Sequence, residues 1–308
     1  MRKRLVAICL AVSLLVVYAA PTWASSTPLE GLRQIELILY GQVKDGSLIE
    51  RLNGLEYDVF SDQKSGPILV RIEDLKTYLM LGSGVSDSLQ LKLNAIEWMM
   101  YQKVSADEVL FARLEQLEND MFGEMQPGSV IERADTLLTM VWATDKLNVD
   151  LVTVPKETLV KIKLLTELDS SKNKVGDRVR YRVIEDVIIK DRLVVPAGIE
   201  GLGRVQDVTA AKRLGMDGKL TVDFGTLTAI DGTGVSLVMS EKATEKNKSL
   251  ELAAGAGMAG VILLGGPIGL AGAYFVKGKD VSIATGTEFY VEVMRDARVS
   301  GLSLMPIN

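Results

Sequence analysis

Residues 47–60 read SLIERLNGLEYDVF, and this stretch predicts a short amphipathic helix. Ser47 stands at the N-cap position and Glu50 follows three residues later, which is the pattern of a capping box. Apolar residues then recur with the spacing of one helix face, at Leu48, Leu52, Leu55 and Val59. We therefore expect a helix of about three to four turns here.

The same frame returns in steps of 20 or 21 residues between residues 29 and 148. A glutamate precedes an aromatic residue by four positions at Glu36 and Tyr40, Glu56 and Phe60, Glu97 and Tyr101, and Glu118 and Phe122. The frame predicts two further units, one at Lys76 and Met80 and one that ends at Trp142. A basic residue fills another constant position, as Arg51, Arg71, Lys92, Arg113 and Arg133. The repeat predicts an array of short helices.

Helices this short are not stable alone, so neighbouring units are expected to stack through their apolar faces. In that arrangement the aromatic residues, among them Phe60 and Phe122, fill the core between helices. The arginines and glutamates are then charges on the helix surface. The alternative is that they form a recurring stripe for a ligand or partner. Because stacked repeats offer a long surface without an enclosed pocket, the array favours binding of a protein or polymer over catalysis.

From Leu151 the pattern changes to the alternation that is typical of β-strands. The alternating stretches are VTVPKETLVKIKLL, DRVRYRVIEDVIIKDRLVVPAG, GKLTVDFGTLTAIDG, TGVSLVMS and TGTEFYVEVMRDARV. Pro155 and Pro196 fit strand ends, because proline cannot donate to a sheet. The chain is thus predicted to be an α+β protein, with a helical repeat domain over residues 29–148 and an antiparallel β barrel or sandwich over residues 151–308.

Residues 158–205 read TLVKIKLLTELDSSKNKVGDRVRYRVIEDVIIKDRLVVPAGIEGLGRV. Over residues 152–205, this order of apolar strand, polar turn, second strand and Pro-x-Gly turn resembles the β-barrel domain of bacterial conjugation-type secretion channels of the TrbI class. In that family an apolar helical hairpin, inserted between strands, contacts the outer membrane, and residues 252–276 fall at a similar place. The N-terminal half departs from the family, which is anchored in the inner membrane through a Pro-rich linker. The resemblance implies a β fold and membrane contact.

The first residues, MRKRLVAICLAVSLLVVYAAPTWASS, have the order of a secretory signal, with basic residues, an apolar run and a small-residue cleavage site. We expect residues 1–24 to be removed and the protein to be exported to the bacterial cell envelope, as a periplasmic or outer-membrane-associated protein. The formal net charge is -5, and it becomes more negative without the signal, so nucleic acid is a poor partner. The single cysteine, Cys9, lies in the signal and histidine is absent. Disulfides, thiol chemistry and a Ser-His-Asp mechanism are therefore excluded for the mature protein.

Residues 252–276, LAAGAGMAGVILLGGPIGLAGAYFV, carry no charge. The part GAGMAG has the glycine spacing of a dinucleotide-binding loop, but Gly265, Gly266 and Pro267 break the helix that such a loop requires. No cofactor is therefore expected. The segment is long enough to cross a bilayer, yet the strand pattern at 281–293 must rejoin the strands before the segment. We expect the chain to turn back at the Gly-Gly-Pro sequence and to form a re-entrant, Gly-rich hairpin.

This hairpin supplies the predicted site. Membrane contact is assigned to Leu252, Gly257, Val261, Leu264, Gly265, Gly269, Ala273 and Phe275. Contact with lipid head groups is assigned to the flanking Lys248, Lys277 and Lys279. The alternative is that the two arms pack dry against the β domain as core, in a soluble periplasmic structural protein.

These patterns predict a non-catalytic envelope protein that contacts membrane lipid through the hairpin and another envelope protein or a wall polymer through the helical repeats. Self-association stays open. No metal site is expected, because no Asp-rich loop has calcium spacing. The competing class is an envelope hydrolase that acts through carboxylates such as Asp177, Glu185 and Asp186. The stretch 171–174, SKNK, matches the S-x-x-K motif but lies in a predicted turn.

Overall fold

The structure, a computed structural model, describes residues 27–82, 87–106, 108–144, 146–212, 216–254 and 280–304. Six helices come first: α1 (Pro28–Tyr40), α2 (Leu48–Phe60), α3 (Ile68–Lys76), α4 (Leu89–Tyr101), α5 (Leu110–Phe122) and α6 (Val130–Trp142). A π-helical turn (Thr77–Leu81) continues α3. Five of the six α-helices have the same length of 13 residues. The repeat frame therefore appears in the structure as one helix per unit.

The helix boundaries follow from local capping. The Ser47 hydroxyl accepts a hydrogen bond from the Glu50 backbone N–H, and the Glu50 side chain accepts one from the Ser47 backbone N–H. The predicted capping box is thus confirmed. At the other end, Gly41 and Gly123 take left-handed backbone conformations, with φ of 76° and 80°, and end α1 and α5.

The helical part has a leucine-rich core, and its helices do not stack only on their neighbours in sequence. Helix α1 packs against α3 and α5 as well as α2, whereas α2 also packs against α6, and α4 lies against α5 and α6. The expectation of a simple neighbour-to-neighbour stack is therefore incomplete. Each helix shares its apolar stripe with several others because the array folds back on itself as a bundle.

The repeated aromatic residues lie at the edge of this core. Phe60 and Phe122 are half-buried and pack on the outside of the core, while leucines such as Leu52 and Leu114 are fully buried. Placing the aromatic residues inside the core was therefore wrong. Each of them is the last residue of its helix or close to it, where fewer neighbouring helices are present to cover a large ring.

The described residues after α6 form thirteen short strands and one more helix. The strands are β1 (Val149–Val154), β2 (Leu159–Leu164), β3 (Leu168–Asp169), β4 (Arg178–Val183), β5 (Val187–Ile189), β6 (Arg192–Val195), β7 (Glu200–Thr209), β8 (Lys219–Asp223), β9 (Thr226–Thr228), β10 (Gly234–Val238), β11 (Ser282–Ile283), β12 (Glu288–Val293) and β13 (Ala297–Ser303). Helix α7 (Glu241–Ala254) follows β10. Pro155 and Pro196 directly follow β1 and β6, at strand ends as predicted.

All strand pairs are antiparallel. The largest sheet has seven strands in the order β8-β7-β4-β2-β12-β10-β9, a second sheet has the order β1-β13-β6-β5, and β3 pairs with β11. The large sheet curves until β9 comes close to β7, so that it forms a half-barrel. The α+β class, with a helical part followed by an antiparallel β part, is confirmed.

Aromatic rings fill the concave side of the half-barrel. Tyr181, Phe224 and Phe289 are fully buried and meet edge to face, with ring centroids 5.6 and 5.9 Å apart. The Tyr181 hydroxyl donates to the Phe224 carbonyl over 2.7 Å, so this buried polar atom is satisfied. Burial raises the pKa of the Tyr181 phenol well above its usual range, and the ring therefore stays neutral.

Candidate functional site

The glutamates of the repeat frame are buried and paired with arginines. The Glu36 side chain is fully buried, and Arg51 of the next helix donates to both of its oxygens, Nε to Oε1 over 2.9 Å and Nη2 to Oε2 over 2.6 Å. The same bidentate ion pair recurs between Arg71 and Glu56, between Arg113 and Glu97, and between Arg133 and Glu118. Both the surface-charge interpretation and the ligand-stripe interpretation are therefore wrong, because these groups are engaged inside the protein.

Each paired carboxylate also holds the loop that follows its helix. The second oxygen accepts a backbone N–H eight residues later in every unit, from Lys44, Lys64, Ser105 and Gln126 at distances of 3.3, 3.0, 2.8 and 3.3 Å. One carboxylate thus joins its own helix, the loop and the next helix. Hydrogen bonds to Glu36 and Glu56 raise the pKa values of Arg51 and Arg71, against the smaller opposite effect of burial.

This ladder of ion pairs is interrupted once. Lys76 stands where the frame has glutamate, so the basic residue of the next unit, Lys92, has no local acid. Its ammonium reaches Asp135 of α6 instead, with Nζ to Oδ1 at 2.5 Å. Nearby in the π-helical turn, the buried Tyr78 hydroxyl has no hydrogen-bond partner within the part of the chain that the structure describes. The interruption replaces a pair between consecutive units with one that ties α4 to α6.

Helix α4 also joins the helical part to the β part. The fully buried Asn94 amide donates to the Ile230 carbonyl over 2.6 Å, while its oxygen accepts from Arg113 over 2.7 Å. Trp98 donates its indole N–H to Asp186 over 3.0 Å, and the same carboxylate accepts the Ala197 N–H. The buried apolar residues of both parts belong to one continuous core. The two parts therefore form a single body.

Side-chain hydrogen bonds attach helix α7 to strand β12 of the half-barrel. Strands β10 and β12 pair only at Leu237 with Val293 and at Val238 with Glu292. Beyond that point the Asn247 side chain takes the place of a strand, since it donates to the Tyr290 carbonyl over 2.9 Å and accepts the Tyr290 N–H over 2.8 Å. At the start of the helix, the Ser240 hydroxyl donates to the buried Glu292 carboxylate.

Hydrogen bonds also hold the first residues after the insertion, Asp280 and Val281, against the β part. Asp280 accepts hydrogen bonds from the Ser170 hydroxyl over 2.9 Å and from the Ala211 N–H over 2.7 Å. The next residue, Val281, donates its backbone N–H to the Ser170 hydroxyl, and its carbonyl accepts the Ser170 backbone N–H. The Asp280 carboxylate therefore joins the loop at Ser170 to the loop at Ala211.

These contacts place both ends of the insertion at one end of the half-barrel. Helix α7 begins beside Glu292 and reaches Tyr290 with Asn247, so it runs backward along β12 toward Glu288. Residues 280–287 lead into β12 at that same end. The chain therefore leaves the β part and returns to it on one side.

The predicted site residues fall mostly outside the described residues. Lys248 and Leu252 belong to α7, in turns for which only the backbone is described. Outside the described residues lie Gly257, Val261, Leu264, Gly265, Gly269, Ala273, Phe275, Lys277 and Lys279. In the part of the chain that the structure does describe, no helix is long and apolar enough to cross a membrane. The hairpin remains a prediction.

The carboxylates considered for hydrolysis have structural partners. Asp177 accepts the Lys174 N–H over 2.9 Å and the Asn173 amide over 3.0 Å, which closes the turn before β4. Glu185 pairs with Lys161 at 2.6 Å, and Asp186 is engaged by Trp98. Ser171 of the SKNK stretch donates to Asp169, not to a lysine. Among the described residues, no group of three or more His, Cys, Asp or Glu side chains is placed to hold a metal ion.

Hydrogen bonds to two carboxylates predict how the stability of the protein depends on pH. Backbone N–H donation from Lys174 lowers the pKa of Asp177, and donation from Ser47 lowers the pKa of Glu50. Because the folded pKa values are depressed, the stabilisation is complete above the usual carboxyl range and is lost as the pH falls through the lowered values. We expect the melting temperature to fall below about pH 4, with a shallower fall in Asp177→Asn. A profile that is flat down to pH 2 would contradict the assignment.

No protein-family model matches this chain, and no curated protein matches its sequence. Among solved structures it is similar to ComB10 of the Com type IV secretion system of Helicobacter pylori, at 12% identity and a TM-score of 0.27. The match covers 47% of this chain and 88% of that chain. At this level of similarity the match assigns neither a family nor an activity to this chain.

Proposed function

We propose that this chain is a non-catalytic, exported protein of the bacterial cell envelope that holds a lipid-contacting hairpin at one end of an α+β body. In this proposal residues 252–276 enter the membrane, while the helical repeats bind another envelope protein or a wall polymer. The protein would then act by holding the membrane segment, residues 252–276, in a fixed position relative to the binding surface of the helical repeats.

The observation that carries the proposal is the position of the two ends of the insertion. Asn247 and Asp280 fix the chain before and after it, and both anchors lead to the end of the half-barrel where β12 begins. A segment with both ends on one side returns to the side from which it started. An uncharged run of 25 residues that must return is better suited to a re-entrant hairpin than to a full span.

The surface of the helical part supports a partner that is a protein or a wall polymer. Tyr57, Leu69 and Met140 are large apolar side chains with exposed fractions of 62, 61 and 64%. Near Tyr57, a cleft of about 330 Å³ is lined by Phe111 and Arg133 among others. Residues 27–148 contain twenty acidic and eleven basic residues, a balance that disfavours nucleic acid as the partner.

The competing hydrolase would need a carboxylate that is free to transfer a proton to or from a substrate. Asp177 and Glu185 are instead committed to a turn and to a lysine. Hydrolysis of a wall polymer by the mature protein, lost in Asp177→Asn or Glu185→Gln, would contradict the non-catalytic proposal.

The decisive experiment replaces residues 255–279 with a short Gly-Ser turn. Because both anchors remain, we expect the shortened mature protein to move from the membrane fraction to the soluble fraction and to keep a cooperative melting transition. A matched pair of point variants tests the same idea: Leu264→Lys should weaken membrane association, whereas Leu151→Lys at an exposed position of β1 should not.

Two results would overturn the proposal. If the intact mature protein is soluble without detergent and the shortened form loses cooperative unfolding, the segment packs as protein core. If Lys248 and Lys277 are labelled from opposite sides of a membrane, the segment is a full span and the β strands after it cannot belong to the same sheet.

A further inference from the structure

The outer face of the half-barrel is basic where β2, β4 and β7 lie side by side. Burial alternates strictly along β2 and β4 and along the first part of β7, so the outward positions are defined. We call the six basic residues at these positions the basic face: Lys161, Lys163, Arg178, Arg180, Arg182 and Arg204. In β4, all three outward residues are arginines.

Carboxylates on and beside the basic face are too few to neutralise it. Glu200 is shared by Arg180 and Arg182, at 2.6 and 2.5 Å. Glu288 is shared by Lys163 at 2.9 Å and Lys161 at 3.9 Å, and Lys161 also pairs with Glu185. Asp223 of β8 is exposed and lies opposite Arg204. Four carboxylates therefore face six cations, which still leaves a surplus of positive charge.

The surplus is concentrated at Arg178 and Arg204. These two residues are directly opposite each other across the β4–β7 pair, and Asp223 of β8 lies opposite Arg204 on its other side. Among the described residues, the ion pairs of the basic face involve its other arginines and its lysines, and none joins Arg178 or Arg204 to a carboxylate. Like charges in directly opposed positions destabilise a sheet. A pair of arginines at such a position gains from an external anion, which removes the repulsion.

The position of this pair relates it to the insertion. Tyr181 of β4 pairs with Leu164, the last residue of β2, so Arg178 lies beyond the end of β2. Glu288 is opposite Lys163 at the same end. Arg178 and Arg204 therefore lie at the end of the half-barrel from which the insertion leaves and to which it returns.

We propose that the basic face binds anionic phospholipid head groups and sets the β part against a membrane surface. The inference rests on the proposed membrane contact of residues 252–276 and adds a second, electrostatic contact beside it. Side chains two apart on a strand and on neighbouring strands are about 7 and 5 Å apart, a grid that meets many separate phosphates better than one enclosed ligand. The acidic helical part of a second copy is the other occupant to be tested.

The experiment compares binding of the mature protein to vesicles of phosphatidylcholine alone and of phosphatidylcholine with phosphatidylglycerol. The hairpin should bind both kinds, whereas the basic face should add affinity only for the anionic vesicles. At about fivefold per basic residue near an anionic surface, Arg178→Gln with Arg204→Gln should lower that added affinity about thirtyfold and leave binding to neutral vesicles unchanged. The control Arg33→Gln with Lys76→Gln removes two exposed charges from the helical part and should have no effect.

Each outcome decides a separate question. If the added affinity for anionic vesicles falls at high salt and disappears in the arginine variant, the result supports lipid binding by the basic face. If neutral vesicles do not bind at all, that result contradicts the proposed hairpin and leaves the inference about the basic face intact. Equal binding to both vesicle types, or an arginine variant that binds anionic vesicles like the wild type, overturns the inference. Salt-sensitive self-association that the arginine variant abolishes, without added vesicle affinity, also overturns it and assigns the face to a second copy. The variant removes a repulsion, so its melting temperature should not fall.

Discussion

Arg113→Ala is expected to lower the free energy of unfolding by about 3–5 kcal/mol, because it leaves the Glu97 carboxylate buried without its cation. Arg113 is the most buried arginine of the ladder, with a side chain that is 1% exposed, and Glu97 is 4% exposed. The same guanidinium donates to Asn94, which in turn holds the Ile230 carbonyl of the β part. Loss of Arg113 should therefore loosen the junction between the two parts as well as the helical bundle. Chemical denaturation followed by circular dichroism measures the effect.

Two controls separate this buried pair from charge in general. Arg33→Ala breaks an exposed pair with Glu30 and should cost less than about 1 kcal/mol. Replacing both partners, as Arg113→Met with Glu97→Leu, removes the unpaired charge and should recover much of the loss. If Arg113→Ala unfolds like the wild type, the pair does not hold the array together, and the repeat frame needs another explanation.

Gly201→Ala is expected to cost about 3 kcal/mol or more, at the upper end of the penalty for overpacking a core. A Cβ atom at this position in β7 would lie 2.2 Å from Cζ of Tyr181. The ring cannot move aside, because Tyr181 is fully buried, its hydroxyl donates to the Phe224 carbonyl, and its ring meets the Phe224 ring edge to face. The glycine is thus required by a close approach and not by its backbone angles.

A matched glycine gives the opposite expectation. Gly54 lies inside α2 with open space where a Cβ would be, so Gly54→Ala should stabilise the protein by about 0.5–1 kcal/mol. Tyr181→Leu in the Gly201→Ala protein should recover part of the loss, and this recovery identifies the ring as the cause. A melting temperature of Gly201→Ala equal to that of the wild type would contradict the packing described for the half-barrel.

The repeat frame also contains a constant spacing between its glutamates and its arginines. The arginines follow the glutamates by 15 or 16 residues in every complete unit, and this constant spacing was visible in the sequence. It does not show whether the two residues meet, because a charged residue on a short helix normally faces solvent. Only the bundle, which surrounds each glutamate and supplies an arginine and a backbone N–H, makes burial of the charge tolerable.

The anchors of the insertion had no sequence signal. Asn247 lies among charged residues in a helix of low amphipathicity, and nothing nearby marks it as a partner of Tyr290, which is 43 positions away. The same holds for Asp280 and Ser170, which are 110 positions apart. Such pairs depend on which strands become neighbours in the sheet, and a single sequence does not specify that order.

Local residue patterns were enough to predict the helices, the strands and the boundary between the helical part and the β part, which lies between α6 and β1. Those features arise from caps, prolines and apolar periods, which act over a few residues. Only the folded chain shows that the charged frame is buried, that Lys92 reaches Asp135, and that Asn247 and Asp280 anchor the two ends of the insertion. These features depend on contacts between distant segments, and the free energy of such contacts exists only when the chain is folded.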